Sequence, residues 1–368
     1  MAAGDGAPAP PAAALAGLAT GLADGSLIAN LKTELTLVDT AAGPLPLSCN
    51  HGREPTCYLC CPSVAYLDYA QAELRHFSAR PGLRVALHAL LGMARPLLTS
   101  SGLDRQVQPN NWLLATNPLP VLEEAELSRI TAGLTARFPD HAVVWRSLNA
   151  VSDAPVLATF RAAGYQLLPA RQVYLFDCRG APPPLHRDEK RDRALLAAPD
   201  YRAIAPEEIG TADYRRISDL YARLYLDRYT PLNPAYTARF IGGVHEQGLI
   251  AFHGLRNAAG QLDAVIGLFE QGEVMTAPIV GYDTALPVAV GLYRRLMAIG
   301  LARARERRRL FNMSAGAAGF KRNRGAVAAL EFTAVYAAHL PFRRRLAIAA
   351  IRGILESVGI PVLRRFAL

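Results

Sequence analysis

The stretch "FNMSAGAAGFKRNRG" (311–325) sets Gly, Ala and Ser beside Lys321, Arg322 and Arg324. Such a mixture could cradle a phosphate, cap a basic helix or form one side of an acyl-transfer site. A P-loop requires Gly-x-x-x-x-Gly-Lys-Ser/Thr. Here Phe320 separates Gly319 from Lys321, and Gly316 lies only three residues before Gly319, so that motif is excluded. The Gly-x-Gly-x-x-Gly dinucleotide fingerprint is absent too. The spacing instead predicts a strand, "LFNMSA", running into a helix that starts near Ala315 to Ala317. A helix start exposes unpaired N–H groups to an anion or a developing oxyanion. Lys321 and Arg324, three apart, would share a helix face and meet the same anion. A helix capped by Ser314 with solvent-exposed cations would read the same way. Acid–base chemistry has candidates nearby in "PIVGYD" (Tyr282, Asp283) and in Glu331 and Tyr336, whose odd spacing puts them on opposite faces of a regular strand. "YLDRYTPLNPAY" adds Tyr229, Asn233 and Tyr236 in a Pro-broken loop.

Cysteine usage points less clearly. Cys49, Cys57, Cys60 and Cys61 cluster near His51, and Cys57/Cys60 has the C-x2-C spacing of a zinc ligand pair. A second such pair is missing, since Cys178 lies far along the chain. Reduced thiols and no metal are expected.

These residues need a scaffold, and 368 residues, 51% of them hydrophobic, suffice for two cores. No run of eighteen uncharged apolar residues occurs, so no spanning helix is expected. The Ala/Pro/Gly-rich N-terminus lacks the early basic residues of a signal peptide; residues 1–24 are expected to be a disordered leader, and the protein cytoplasmic. The net charge is +9, and positions 290–368 alone carry sixteen Lys/Arg against three Asp/Glu, so the remainder is net acidic. A basic end of this kind suits nucleotide phosphates, tRNA, an acidic carrier protein or an anionic membrane, or is simply a solvated face.

"RGAPPPLHRDEKRD" (179–192) reads as a linker, three prolines followed by a charge run. It splits the chain into 25–180 and 200–368, with 181–199 between. The first half reads helix, then strand "NWLLATN", helix "PVLEEAELSRITAGLTARF", strand "HAVVWRSL", helix "APVLATFRAAG" and strand "QLLPARQVYLFD". An earlier helix, "GLRVALHALLGMARPLL", is expected to end near Pro96. In the second half two helical pieces precede "LIAFHGLRN" and "LDAVIGLFE", a hairpin across "AAGQ". Strand "EVMTAPIVGYD" follows, then a long helix with Pro287 in its first turn, strand "RLFNMSA", a short helix and strand "ALEFTAVYAAHL". A basic amphipathic helix, "FRRRLAIAAIRGILESVGIPVLRRFAL", ends the chain, to pack on the core or touch a membrane or carrier protein.

This element order resembles the GNAT acyltransferase core, and its doubling resembles the tandem arrangement of Fem-type aminoacyl transferases and related acetyltransferases. "GFKRNRGAVAALEF" is similar to the closing strand of Fem-like members. The likeness implies an α/β fold of two tandem GNAT-like domains, each a mixed, mostly antiparallel sheet flanked by helices. It implies direct transfer of an acyl group from acyl-CoA or an acyl carrier protein to an amine-bearing small molecule, with no covalent intermediate and no tightly bound cofactor. An aminoacyl-tRNA donor, or a non-catalytic binding module, is the alternative. The Arg/Gln-x-x-Gly-x-Gly/Ala pyrophosphate loop of typical GNAT enzymes is missing from "DTALPVAVGLYRRL". On this reading Tyr282, Asp283, Tyr336 and Glu331 are the catalytic candidates. Asn312, Ser314, Gly316, Lys321 and Arg324 would hold the donor, and Tyr229, Asn233 and Tyr236 the acceptor.

Overall fold

The computed structural model describes residues 11–18, 25–52, 57–76 and 81–366. Helix α1 (Pro11–Gly17) comes first. Strands β1 (Glu34–Val38) and β2 (Leu45–His51) pair antiparallel. A π-helical turn, Val64–Asp68, runs into α2 (Tyr69–His76), and α3 (Pro81–Ser101) follows. Then come β3 (Arg105–Pro109), α4 (Glu124–Arg137), β4 (Ala142–Asn149), α5 (Ala154–Ala162) and β5 (Gln166–Asp177). Helix α6 (Arg187–Leu196) and β6 (Arg202–Ile204) lead to α7 (Thr211–Ala222) and α8 (Ala238–Glu246). The second half continues with β7 (Ala251–Arg256), β8 (Leu262–Gln271), β9 (Val274–Tyr282), α9 (Leu292–Glu306), β10 (Leu310–Asn312), α10 (Ala318–Arg322) and β11 (Val327–Tyr336). Helices α11 (Phe342–Ile354) and α12 (Ile360–Phe366) close it.

Among the described residues the strands form one eleven-stranded sheet, in the order β1-β2-β3-β4-β11-β5-β10-β9-β8-β7-β6. The pairing is antiparallel except at β3/β4 and β9/β10. The sheet is mixed α/β architecture with helices against it. Its centre is an exchange: β11 of the second half lies between β4 and β5 of the first, and β5 lies against β10 of the second. Each half therefore completes its sheet with the other's last strand. Apolar runs such as "AVVW" in β4 are buried on both faces, as a central strand covered by two layers must be. Trp145 meets Phe160 of α5 edge-on, at 5.8 Å between centroids.

The parallel pairs are short. β9 meets β10 only over Val274–Thr276, and β3 meets β4 only over Gln106–Val107. Beyond those residues neither pair continues, and the unpaired length of β9 (Ala277, Pro278, Val280) lines the same cavity as Lys321.

Several expectations need correction. "NWLLATN" is a loop, because its asparagines bond their own neighbours: Asn117 Oδ1 accepts from Trp112 N and Asn111 Oδ1 from Leu113 N. The strand there is β3, just upstream, and β2 ("LPLSCNH") had no counterpart in the sequence reading. Helix α3 runs through Pro96 to Ser101. An interior proline costs about 3 kcal/mol, which its packing on α11 offsets. Pro287 precedes a 3-10 turn, and α9 starts after Gly291, whose φ of +71° suits glycine. A Cβ at Gly291 would also lie 2.6 Å from Leu195, so glycine lets α6 dock.

Part of the expected leader is ordered: Ala12 and Leu15 of α1 are buried in the core, while residues 1–10 and 19–24 lie outside the described residues. Much of the expected 181–199 linker is helix α6. Its Glu189 and Asp192 are fully buried against α9 and the 318–325 corner. Glu189 takes Arg305 at 2.8 Å, and Asp192 takes Arg294 at 2.6 Å and Arg324 at 2.5 Å. The charge run is there because the basic second half needs buried counter-ions. Finally, the continuous helix Phe342–Phe366 is long and apolar enough to cross a membrane, against the sequence expectation, and only 17% of its most apolar window is buried. Arg352 and Glu356, inside the stretch between the arginines at its two ends, had masked this in a count of uninterrupted apolar residues.

Candidate active site

A cavity of about 720 Å³ lies where the halves meet. Alternate residues of the central strands form its floor: Gln106 and Gln108 of β3, Arg146 of β4, Glu331 and Thr333 of β11. Period-2 alternation brings them to one side. Eight of the chain's fourteen tyrosines line it (58, 66, 69, 221, 225, 229, 282 and 293), so aromatic hydroxyls are concentrated here. Burial raises the phenol of Tyr282 above its usual value and those of Tyr221 and Tyr225 well above it, so these rings stay protonated at neutral pH. They are proton donors, not bases.

The centre holds an ion pair between the halves. Arg171 of β5 donates to Glu331 of β11 through Nε at 2.8 Å and a second nitrogen at 3.2 Å. The same guanidinium reaches Ala115 O and Thr116 Oγ1. Burial works against the Arg171 charge, and Glu331 more than restores it, raising its pKa. Two buried amide oxygens on the floor, Oε1 of Gln106 and of Gln108, have no protein partner. They are acceptors available to an N–H or O–H brought in by a substrate.

Lys321 sits on the opposite side, at the β10–α10 corner. It is buried, and its Nζ donates to the carbonyls of Met313 (2.6 Å), Ser314 (3.1 Å) and Ala315 (2.8 Å). Burial, with Arg171 adding to it, pulls its pKa down to about 7. The three carbonyls pull the other way, toward the ammonium. The turn it ties together has left-handed backbone at Ser314 (φ +59°), Gly316 (φ +77°) and Ala317 (φ +49°). Two of these are non-glycine, a conformation that persists only where surrounding bonds impose it.

The sequence candidates divide. Glu331, Tyr282, Ser314, Gly316, Lys321, Tyr229 and Asn233 all line this cavity. Arg324 does not share an anion with Lys321: α10 ends at Arg322, and Arg324 turns away to Asp192 and lies 3.4 Å over the Phe320 ring. Ser314 does not cap α10, whose first residue follows Ala317. Asn312 supports the corner from β10, accepting from Ser314 N at 2.9 Å. Asp283 is held by Arg216 and Arg223, each at 2.9 Å. Burial raises its pKa, but those arginines win and keep it below the usual carboxylate range, so it is an ion-pair anchor rather than a base. Tyr336 opens on a separate cavity of about 240 Å³ with Thr131 and Ala163, on the face away from Glu331, as the odd spacing requires. Tyr236 is buried, and its hydroxyl donates to Leu113 O at 2.7 Å, bracing one half on the other. Arg171, Arg146, the glutamines and the N-terminal tyrosines were missed, because no local motif marks a residue that meets its partner 160 positions away.

The cysteines also rearrange. Cys60 accepts from Asn111 at 3.3 Å, and Cys61 donates to Asp104 at 3.3 Å. Among the described residues, the group able to converge on an ion is Cys49, His51 and His141, whose ligand atoms lie within 4.8 Å of one another. Cys57/Cys60 is not part of it. His141 Nε2 and His51 Nδ1 are 3.1 Å apart and satisfy each other by a hydrogen bond.

Each half thus repeats one order: antiparallel strands, a helix, a strand paired briefly in parallel, a short helix, and an exchanged last strand. This order is similar to that of a tandem GNAT-like arrangement. No family model and no curated protein matches the chain. Solved structures are similar to part of the chain. The C-terminal domain of a putative lysylphosphatidylglycerol synthetase from Agrobacterium fabrum is 14% identical, with TM-score 0.44, over 64% of this chain and 80% of that one. FemX is 7% identical, with TM-score 0.47, over 62% and 80%. A tandem GNAT protein from the clavulanic acid biosynthesis pathway is 15% identical, with TM-score 0.35, over 62% and 75%.

Proposed function

We propose that this protein is an N-acyltransferase that moves an acyl group from a thioester donor, acyl-CoA or an acyl carrier protein, to an amine. The observation that carries the reading is Lys321: a buried amine with no carboxylate partner, its pKa lowered by burial, beside the unpaired length of β9 and inside a cavity rich in protonated tyrosines. Past Thr276 the β9 edge facing β10 has no strand partner, so its peptide groups are available to an extended amide-bearing arm by strand addition. The acceptor amine must lose a proton to attack. A neutral Lys321 can take that proton, directly or through water, and Tyr282 can protonate the leaving thiolate. Bonds balance without an acyl-enzyme: N–C forms as C–S breaks, the thiol takes Tyr282's proton, and the amine's proton held by Lys321 returns through water to the Tyr282 phenolate. Nothing is held tightly as a cofactor on this reading, and the pool of CoA thioesters places the activity in the cytoplasm.

The test is thiol release from a panel of CoA and carrier-protein thioesters with amine acceptors. Release that depends on both substrates and falls at least a hundredfold in Lys321→Met supports the reading; no release with any donor counts against it.

An aminoacyl-tRNA donor is the second reading. Arg343, Arg345, Arg364 and Arg365 are exposed on the terminal helix and could meet phosphates. Against it, Arg294, Arg305, Arg307, Arg309 and Arg324 of the basic segment are already matched by acids within the fold. Binding of tRNA that weakens steeply with salt would favour it.

A further inference from the structure

The cavity has a second, apolar arm that the proposed chemistry does not use. Helix α3 lends Leu87, Leu91 and Leu98 to it, and the terminal helix lends Ile354, Val358 and Val362. Both sets recur at helical spacing, so each helix turns one aliphatic stripe toward the same space. From Leu87 to Leu98 the stripe is about 16 Å long. That is far more than an acetyl group needs. Apart from Leu98, these side chains are left half-buried or exposed. An occupant would remove them from water.

The chemistry of the lining selects the occupant. Leu, Ile and Val side chains offer no hydrogen-bond donor or acceptor. A peptide seated here would bring unsatisfied N–H and C=O groups, and a nucleotide would bring charge. A hydrocarbon brings neither. The arm is continuous with the cavity that Lys321 and Glu331 line, so the occupant must also carry a polar reacting group there. We propose that the arm holds the aliphatic chain of the transferred acyl group, making the donor a long-chain acyl thioester. This rests on the thioester-donor reading above.

The test measures binding of CoA thioesters from acetyl to palmitoyl by the wild type and by Leu91→Trp and Ile354→Trp, which fill the arm; circular dichroism checks that both fold. Affinity should rise with chain length, by up to about fourfold per methylene. The Trp variants should lose that rise for the longer chains. A flat series in the wild type, or the same series in both variants, overturns the proposal. So does a series that climbs with the length of an alkylamine acceptor and not of the thioester. If neither a CoA thioester of any length nor the matching acyl carrier protein binds, the donor reading fails. The arm is then judged alone with a fluorescent 16-carbon fatty acid. Binding by the wild type and loss in both variants sustains an aliphatic site, and no binding by the wild type removes it.

Discussion

Arg171 and Glu331 meet side by side across the seam between the two halves, 2.8 Å apart and almost fully buried on the Glu331 side. They come from neighbouring strands, β5 and β11, that belong to different ends of the chain. The bond both closes the exchanged sheet and fixes a carboxylate beside the reaction cavity. Removing one partner of such a pair costs about 3–5 kcal/mol, whereas replacing both by apolar groups costs far less. Glu331→Gln should therefore lower stability in urea unfolding, and Arg171→Met with Glu331→Leu should recover most of it. Turnover should stay low in both. A double variant with normal turnover would reduce the pair to architecture.

Lys321 makes stability depend on pH in a specified direction. Its folded pKa, about 7, lies below the model-peptide value of 10.5. Between these values the unfolded chain binds more protons, so stability rises with pH over that window. Below about 7 both states are protonated and the burial penalty is fully present. Urea unfolding at pH 6, 8 and 9.5 should show the wild type gaining on Lys321→Met as pH rises. A constant or shrinking difference would mean the three carbonyls keep the ammonium charged. Turnover should rise through the same pKa if Lys321 is the base.

Asp192 carries two arginines, Arg294 and Arg324, on one buried carboxylate. Asp192→Asn should cost about 3–5 kcal/mol, by leaving buried positive charge uncompensated. The loss should appear as a lower unfolding midpoint and undocking of α6, seen as faster hydrogen exchange in 187–196. Undisturbed exchange there would show that α6 docks by its apolar contacts alone.

Asp283 should matter for folding and not for chemistry. Its depressed pKa gives stability that is present above the unfolded value of 3.8 and is lost as pH falls through the folded value. Asp283→Asn should flatten the acid limb of the stability curve and leave the rate per folded molecule within about threefold of wild type, a difference of roughly 0.7 kcal/mol. A hundredfold loss would return Asp283 to the catalytic set.

The sequence by itself determined the element types wherever periodicity was strong. The 262–282 strands, the helices at 124–137 and 292–306, and the β10-to-α10 corner are local features, set by side-chain spacing and turn residues. It also placed Lys321 at that corner and Glu331 and Tyr336 on opposite faces, because a strand's period of two is fixed by the backbone. It misjudged "NWLLATN" and 181–199, where side-chain hydrogen bonds and buried counter-ions overrode composition.

Only the tertiary structure decided which charges are free to act. Lys321, Arg324, Asp283 and Glu331 look equivalent along the chain. Folding buries Lys321 without a carboxylate, gives Arg324 to Asp192, locks Asp283 between two arginines and pairs Glu331 across the seam. Titration and reactivity depend on burial and on partners over a few ångströms: strand exchange brings Arg171 to Glu331 from 160 residues away, and the docking of α6 brings Asp192 to Arg324 from 132.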